Sequence, residues 1–139
     1  MKEYQPYGIF DFSELPVVKV SYTEEKISDE NFADYLEEMG TVFEKAERYI
    51  MLFDTTHATY MPVKHRIEQG KYLEKNEERI KRQSIAVIFI APSFLHRTVL
   101  KAIFMIKPHP SEVFFVSTEE EARKKVEELL EKEKELQSV

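Results

Sequence analysis

The chain has 139 residues, 42% hydrophobic and 33% charged, with 26 acidic against 20 basic side chains and a net charge of -6. That size and apolar content fit one folded domain with its own core and exclude a disordered chain. The absence of cysteine excludes disulfides, thiolate chemistry and cysteine-ligated zinc, and the acidic balance argues against nucleic acid, whose phosphates would repel it.

The first residues, Met1 to Gln5, contain no apolar signal core. The longest apolar run, 85–92, is too short to cross a bilayer as a helix. The expectation is a cytoplasmic protein. Gly8-Ile9-Phe10-Asp11-Phe12 reads as a short edge strand, followed by a turn at Ser13-Glu14-Leu15-Pro16. Val17 to Tyr22 is β-branched and aromatic and reads as a strand. The short link between the two implies an antiparallel pair.

A helix is expected from Ser28, whose hydroxyl suits an N-cap, with Asp29 and Glu30 at its positive end. Ile27 and Phe32 are spaced as a hydrophobic staple. Phe32, Leu36, Met39, Phe43 and Ala46 share one face, and Gly40 inside the pattern implies close packing against the sheet. The run Tyr49-Ile50-Met51-Leu52-Phe53-Asp54 reads as a buried central strand that ends among polar groups. Pro62 suits the first turn of a second helix, with Ile67, Gly70, Leu73, Glu77 and Ile80 near one face.

Ser84 to Ala91 is apolar on both alternating faces, as in a parallel strand covered by helices on both sides. Pro92-Ser93 ends it and caps a helix over Phe94 to Ile106, which Pro108 and Pro110 stop. Glu112 to Val116 is the last strand. Thr118 and Glu121 form a capping box for a final helix whose buried stripe is Ala122, Val126, Leu129 and Leu130. Beyond Leu130 charges dominate and fraying is expected. The order β-β-α-β-α-β-α-β-α predicts one α/β domain over 1–139, with its core over about 8–130 and a charged helix end at 131–139. Its sheet is four- to five-stranded and mostly parallel, with about four helices.

This arrangement, carried by Phe53-Asp54-Thr55-Thr56, the charged helix before Ser84-Ile85-Ala86-Val87-Ile88-Phe89, Ser93-x-x-x-Arg97 and Val113-Phe114-Phe115-Val116, resembles the STAS domain superfamily. Within it the SpoIIAA-like group, related in shape to lipid-carrying domains, is most similar. The resemblance spans about 10–130. It implies a non-enzymatic regulatory module. It also implies a partner site at the strand end, where the antagonist branch has Asp-Ser-Ser/Thr-Gly with a phosphorylated hydroxyl. Asp54-Thr55-Thr56 matches that motif, and His57 stands in place of the glycine.

Three clusters carry candidate chemistry. Asp54, Thr55, Thr56 and His57 form a hydroxyl-rich strand end beside helix N-termini, suited to phosphorylation or partner binding. The bland alternative is a capped turn. Ser93, His96 and Arg97 lie near the same edge as an anion or partner site. A Ser93–His96 nucleophile lacks an orienting third group, so no catalytic residue is assigned. The histidines His57, His65, His96 and His109 match no metal-ligand spacing, so neither metal nor cofactor is expected.

The helix over 94–106 is apolar on more than one face. Leu95, Val99, Ala102 and Ile106 are expected to face the core. Phe94, Leu100, Ile103, Phe104 and Met105 are left as an apolar patch, flanked by Arg97, Lys101 and Lys107. Burial of that helix within the fold is the bland reading.

Two functions follow. One is a protein-interaction switch whose partner, a kinase or anti-sigma-like regulator, docks at 54–57. The other is a carrier or sensor of a small apolar ligand or membrane lipid that uses the 94–106 helix as a mobile cover. A homodimer contact and a peripheral membrane contact are the further partner readings of the patch. A small hydrolase or transferase ranks last.

Overall fold

Runs of β-branched and aromatic residues form a five-stranded sheet in the computed structural model, which describes residues 3–106 and 108–138. The strands are β1 (Gly8–Glu14), β2 (Val17–Tyr22), β3 (Tyr49–Asp54), β4 (Ser84–Ile90) and β5 (Val113–Val116). The helices are α1 (Asp29–Lys45), α2 (Val63–Lys75), α3 (Glu77–Gln83), α4 (Phe94–Ile106) and α5 (Glu119–Gln137). The sheet order is β1-β2-β3-β4-β5. β1 runs antiparallel to β2, and the remaining pairs are parallel. The mixed α/β class and the mostly parallel sheet agree with the sequence reading. The helix count does not, because the stretch read as one helix after Pro62 is two.

That break lies at Asn76. Its backbone leaves helical geometry (φ -105°, ψ 13°), and its side-chain amide donates to the carbonyl of Tyr72 at 2.8 Å. A short polar side chain that bonds locally offers the backbone an alternative to the helix ladder. The redirected α3 then buries Ile80.

Strand alternation divides the core in two. Val18, Val20, Met51, Phe53, Val87 and Phe89 face a layer made by α1, α2, α3 and α4. Val17, Ile50, Leu52, Ala86, Ile88 and Ile90 face α5, through Ala122, Val126 and Leu129. A monotonic parallel order with one hand of crossover sends every intervening helix to the same face. Only α5, after the last strand, is free to cover the other. Ile50, Leu52 and Ile88 are fully buried in that second layer, and each such side chain contributes about 1.5–3 kcal/mol.

Local devices fix the helices. Ser28 Oγ accepts from the Asn31 amide at 3.0 Å, and Asn31 Oδ1 accepts from the Ser28 amide at 2.8 Å. That reciprocal pair satisfies two free donors at the start of α1. The predicted inner face of α1 is observed, with Tyr35 and Val42 added to it. Gly40 does not touch the sheet. A Cβ there would meet only the Tyr72 hydroxyl of α2, at 3.9 Å. Gly8 is the glycine that permits close approach, because a Cβ on it would lie 3.2 Å from the Tyr35 ring. Tyr7, Tyr22, Phe32 and Tyr35 pack around that point, with ring centroids 5.0–6.0 Å apart for each ring against Tyr7.

The charged end of α5 stays helical to Gln137, against the expectation of fraying after Leu130. The Arg48 guanidinium clasps Glu133 with bonds of 2.7 and 3.0 Å and donates to the carbonyl of Arg82 at 2.7 Å. This bidentate pair ties the last turns of α5 to the ends of α1 and α3. No helix among the described residues is long and apolar enough to cross a membrane.

Candidate functional site

The ends of β3, β4 and β5 lie in one row, with Asp54 paired to Ile90 and Ile90 to Val116. The polar strand end therefore sits at the sheet edge that the sequence indicates. Its two threonines have different surroundings. Thr55 is buried, and both its amide (3.0 Å) and its hydroxyl (2.7 Å) donate to the carbonyl of Ile90. It locks β3 to β4. Thr56 is exposed, and its amide and hydroxyl donate to Asp54 Oδ1 at 3.0 and 2.6 Å, an Asx turn. His57 is exposed and lies 3.5 Å from Glu24. Ligand crevices at such edges arise where strand order reverses. The order here never reverses, so the topology supplies no such crevice at 54–57.

Ser93 and His96 form a small closed unit at the start of α4. The Ser93 Oγ accepts from the His96 amide at 3.0 Å and lies 2.9 Å from His96 Nδ1. Both residues are exposed, and no third group orients the imidazole among the described residues. Arg97 is half-buried, with its Nε enclosed and without a hydrogen-bond partner among the described residues. No hydrogen bond or ion pair joins this trio to 54–57 among the described residues.

The expected core stripe of α4 is corrected. Leu95 is 70% exposed and Val99 52% exposed. Ala102 is exposed as well. Leu100 and Phe104, expected in the outer patch, pack against the core instead. Phe104 rests on Phe89 and on His109, at centroid distances of 5.7 and 5.8 Å. Large aromatic area outweighs the aliphatic stripe in choosing which face turns inward. Phe94 is exposed, as the patch reading has it. The side chains of Ile103, Met105 and Ile106, and all of Lys107, lie outside the described residues.

Behind Phe104 the first core layer leaves a cavity of about 70 Å³. Tyr35, Met39 and Phe43 of α1 form one wall, and Met51, Phe53 and Val87 of the sheet form the floor. From α2, Gln69 and Tyr72 close the side. The Gln69 Oε1 and the Tyr72 hydroxyl are buried and find no hydrogen-bond partner among the described residues. Such groups each cost about 1–3 kcal/mol if nothing fills the space beside them. Burial pushes the Tyr72 phenol up to about 12 and the His109 imidazole down to about 4. The Tyr22 hydroxyl, by contrast, is paired with that of Tyr35 at 2.6 Å.

The inner face of α2 thus differs from the sequence reading. Ile67 is 53% exposed, while His65, Gln69 and Tyr72 turn inward beside Leu73, which the sequence reading places there. A search for apolar periodicity passes over this stripe. The available signal is a run of uncharged polar residues at 65, 69, 72 and 76 in a helix otherwise full of Lys, Arg and Glu.

His65 also belongs to a cluster that histidine spacing cannot reveal. Asp29, His65 and Glu68 each place one ligand atom within 4.8 Å of the others. Asp29 comes from α1, so the set forms only in the fold. Its Asp29 carboxylate is already paired. The Lys64 Nζ lies 2.9 Å and the His65 Nε2 3.1 Å from Asp29 Oδ1, and both bonds hold the Asp29 carboxyl below the usual range.

No family model, curated protein or solved structure matches this chain.

Proposed function

We propose that this chain is a non-catalytic STAS-like module that takes a small apolar ligand into the cavity behind Phe104, with α4 as its cover. The STAS-like assignment is supported by the β-β-α-β start and by the parallel strands in sequential order. One observation carries the ligand reading: an aromatic-walled cavity lined by Gln69 and Tyr72, each with a buried polar atom that has no partner among the described residues. Binding sites commonly combine apolar walls with a few convergent polar groups. An engineered apolar cavity of about 150 Å³ admits benzene, so a space of about 70 Å³ accepts a larger body only if a wall moves. The α4 helix is suited to moving, because among the described residues it meets the core through Leu100 and Phe104 and exposes Phe94, Leu95 and Val99.

Methyl NMR of Met39, Met51 and Val87 under xenon pressure tests this reading. Selective shifts at these methyls, together with a small molecule retained in native mass spectrometry, are the expected result. Methyls that do not respond to xenon, with no retained mass, refute it.

A second reading has its own observation. Thr56 presents an exposed hydroxyl on a loop held by Asp54, which suits recognition by a regulatory kinase. Incorporation of phosphate that Thr56→Ala abolishes supports that reading, and incorporation that survives Thr56→Ala sinks it.

A further inference from the structure

We propose that the ligand is a small neutral amphiphile with a hydroxyl or primary-amide head, held by Gln69 and Tyr72 with its carbon body against the aromatic wall. This inference rests on the cavity reading above and specifies the chemistry of the occupant. Gln69 Oε1 can only accept a hydrogen bond, whereas a phenolic hydroxyl can donate. A hydroxyl is the smallest head that can donate to the one and accept from the other. Both atoms are buried and lack partners among the described residues, so each has a hydrogen bond to offer such a head.

The walls select against charge. Among the described residues the lining includes no Lys, Arg, Asp or Glu. Its phenols at Tyr22, Tyr35, Tyr49 and Tyr72 are held protonated by burial, and its His109 is held neutral. The nearby cation Arg79 lies over the ring of Phe43, with its guanidinium carbon 4.9 Å from the centroid. A carboxylate or ammonium head would therefore enter an uncharged enclosure, which is costly without a paired counter-charge. The apolar wall also requires a carbon body, since water alone would leave that surface wet.

The experiment compares butan-1-ol, butanoate and butylammonium at pH 7 by methyl NMR on the intact protein, with xenon as the headless reference. Butan-1-ol is expected to bind at least about tenfold more tightly than either ion. Tyr72→Phe and, separately, Gln69→Leu are expected to weaken butan-1-ol about five- to tenfold while the xenon shifts persist. Urea midpoints of both variants establish that each is folded. Butanoate binding as tightly as butan-1-ol overturns the head-group assignment. So does wild-type affinity for butan-1-ol in both variants, which would leave the two polar atoms as hosts of water only. In either case persistent xenon shifts leave the cavity reading standing. Loss of every xenon shift in the wild type removes the cavity reading and this inference with it.

Discussion

Replacing Phe104 by Ala tests whether α4 is a cover held by one aromatic anchor. A fully buried Phe→Ala change costs about 3–5 kcal/mol. Phe104 is half-buried, and its ring contacts Phe89, Phe115 and His109. About half of that range applies, so roughly 2 kcal/mol of docking energy should be lost. Alanine favours the helix itself, so the loss falls on docking rather than on helix formation. Amide hydrogen exchange separates the two. Exchange in α4 should quicken by about thirtyfold, as expected for roughly 2 kcal/mol, while β4, whose Ile88 is fully buried, keeps its protection. A variant that exchanges like the wild type in α4 refutes the anchoring argument. So does one that loses protection equally across β3 and β4, because Phe104 would then be a core residue rather than a clasp.

Leu52→Ala, at a fully buried position beneath α5, should lower stability by about 3 kcal/mol in urea denaturation; a change below about 1 kcal/mol would contradict the described packing. Thr55→Val removes the buried bond to the carbonyl of Ile90, which still accepts from the Thr55 amide, and should cost about 1 kcal/mol. Thr56→Ala, on the exposed loop, should stay within about 0.5 kcal/mol, so equal losses at the two threonines would refute the assigned difference. His109, held down to about 4 by burial, is neutral when folded, whereas the unfolded chain protonates it below about 6.5. The unfolded state then binds more protons between these values, so stability should fall by about 1.6 kcal/mol from pH 6.5 to 5. His109→Asn should flatten that slope, and an unchanged slope would exclude His109 as its source.

The interior strands were legible from continuous apolar runs. Tyr49–Phe53 and Ala86–Ile90 are apolar at every position, and both prove to be interior strands covered on both faces. The start of α1 was equally clear, since Ser28 combines a cap residue with a staple around it. Helix faces were harder. In α4 nine of thirteen residues are apolar, so periodicity assigns several faces equally well, and the aromatic Phe104 decides among them through contacts with β4 and β5 that no local pattern contains. In α2 the inward stripe is polar, and a search for apolar spacing selected Ile67 in error. The strand-end loop was located correctly, but the burial of Thr55 depends on the carbonyl of Ile90, 35 residues away.

The polar stripe of α2 conflicts with the core it faces, and that conflict has a measurable sign. A helix selected only to pack would place Leu or Phe at 69 and 72. Gln69 and Tyr72 instead bring two buried polar atoms to the cavity without partners among the described residues. Stability lost at a binding site is a common cost of function. If the two atoms are unsatisfied in the free protein, Gln69→Leu should raise stability by roughly 1–2 kcal/mol in urea, since the orphaned carbonyl is removed and apolar area is added. If resident waters already satisfy them, the same change should be neutral or destabilising, because it expels a bonded water. Saturating butan-1-ol should narrow a gain of the first kind, since the tighter-binding wild type is stabilised more than the variant. A wild-type midpoint that does not move with butan-1-ol, beside a Gln69→Leu midpoint below it, would refute the conflict and make the α2 stripe a hydrated part of the core.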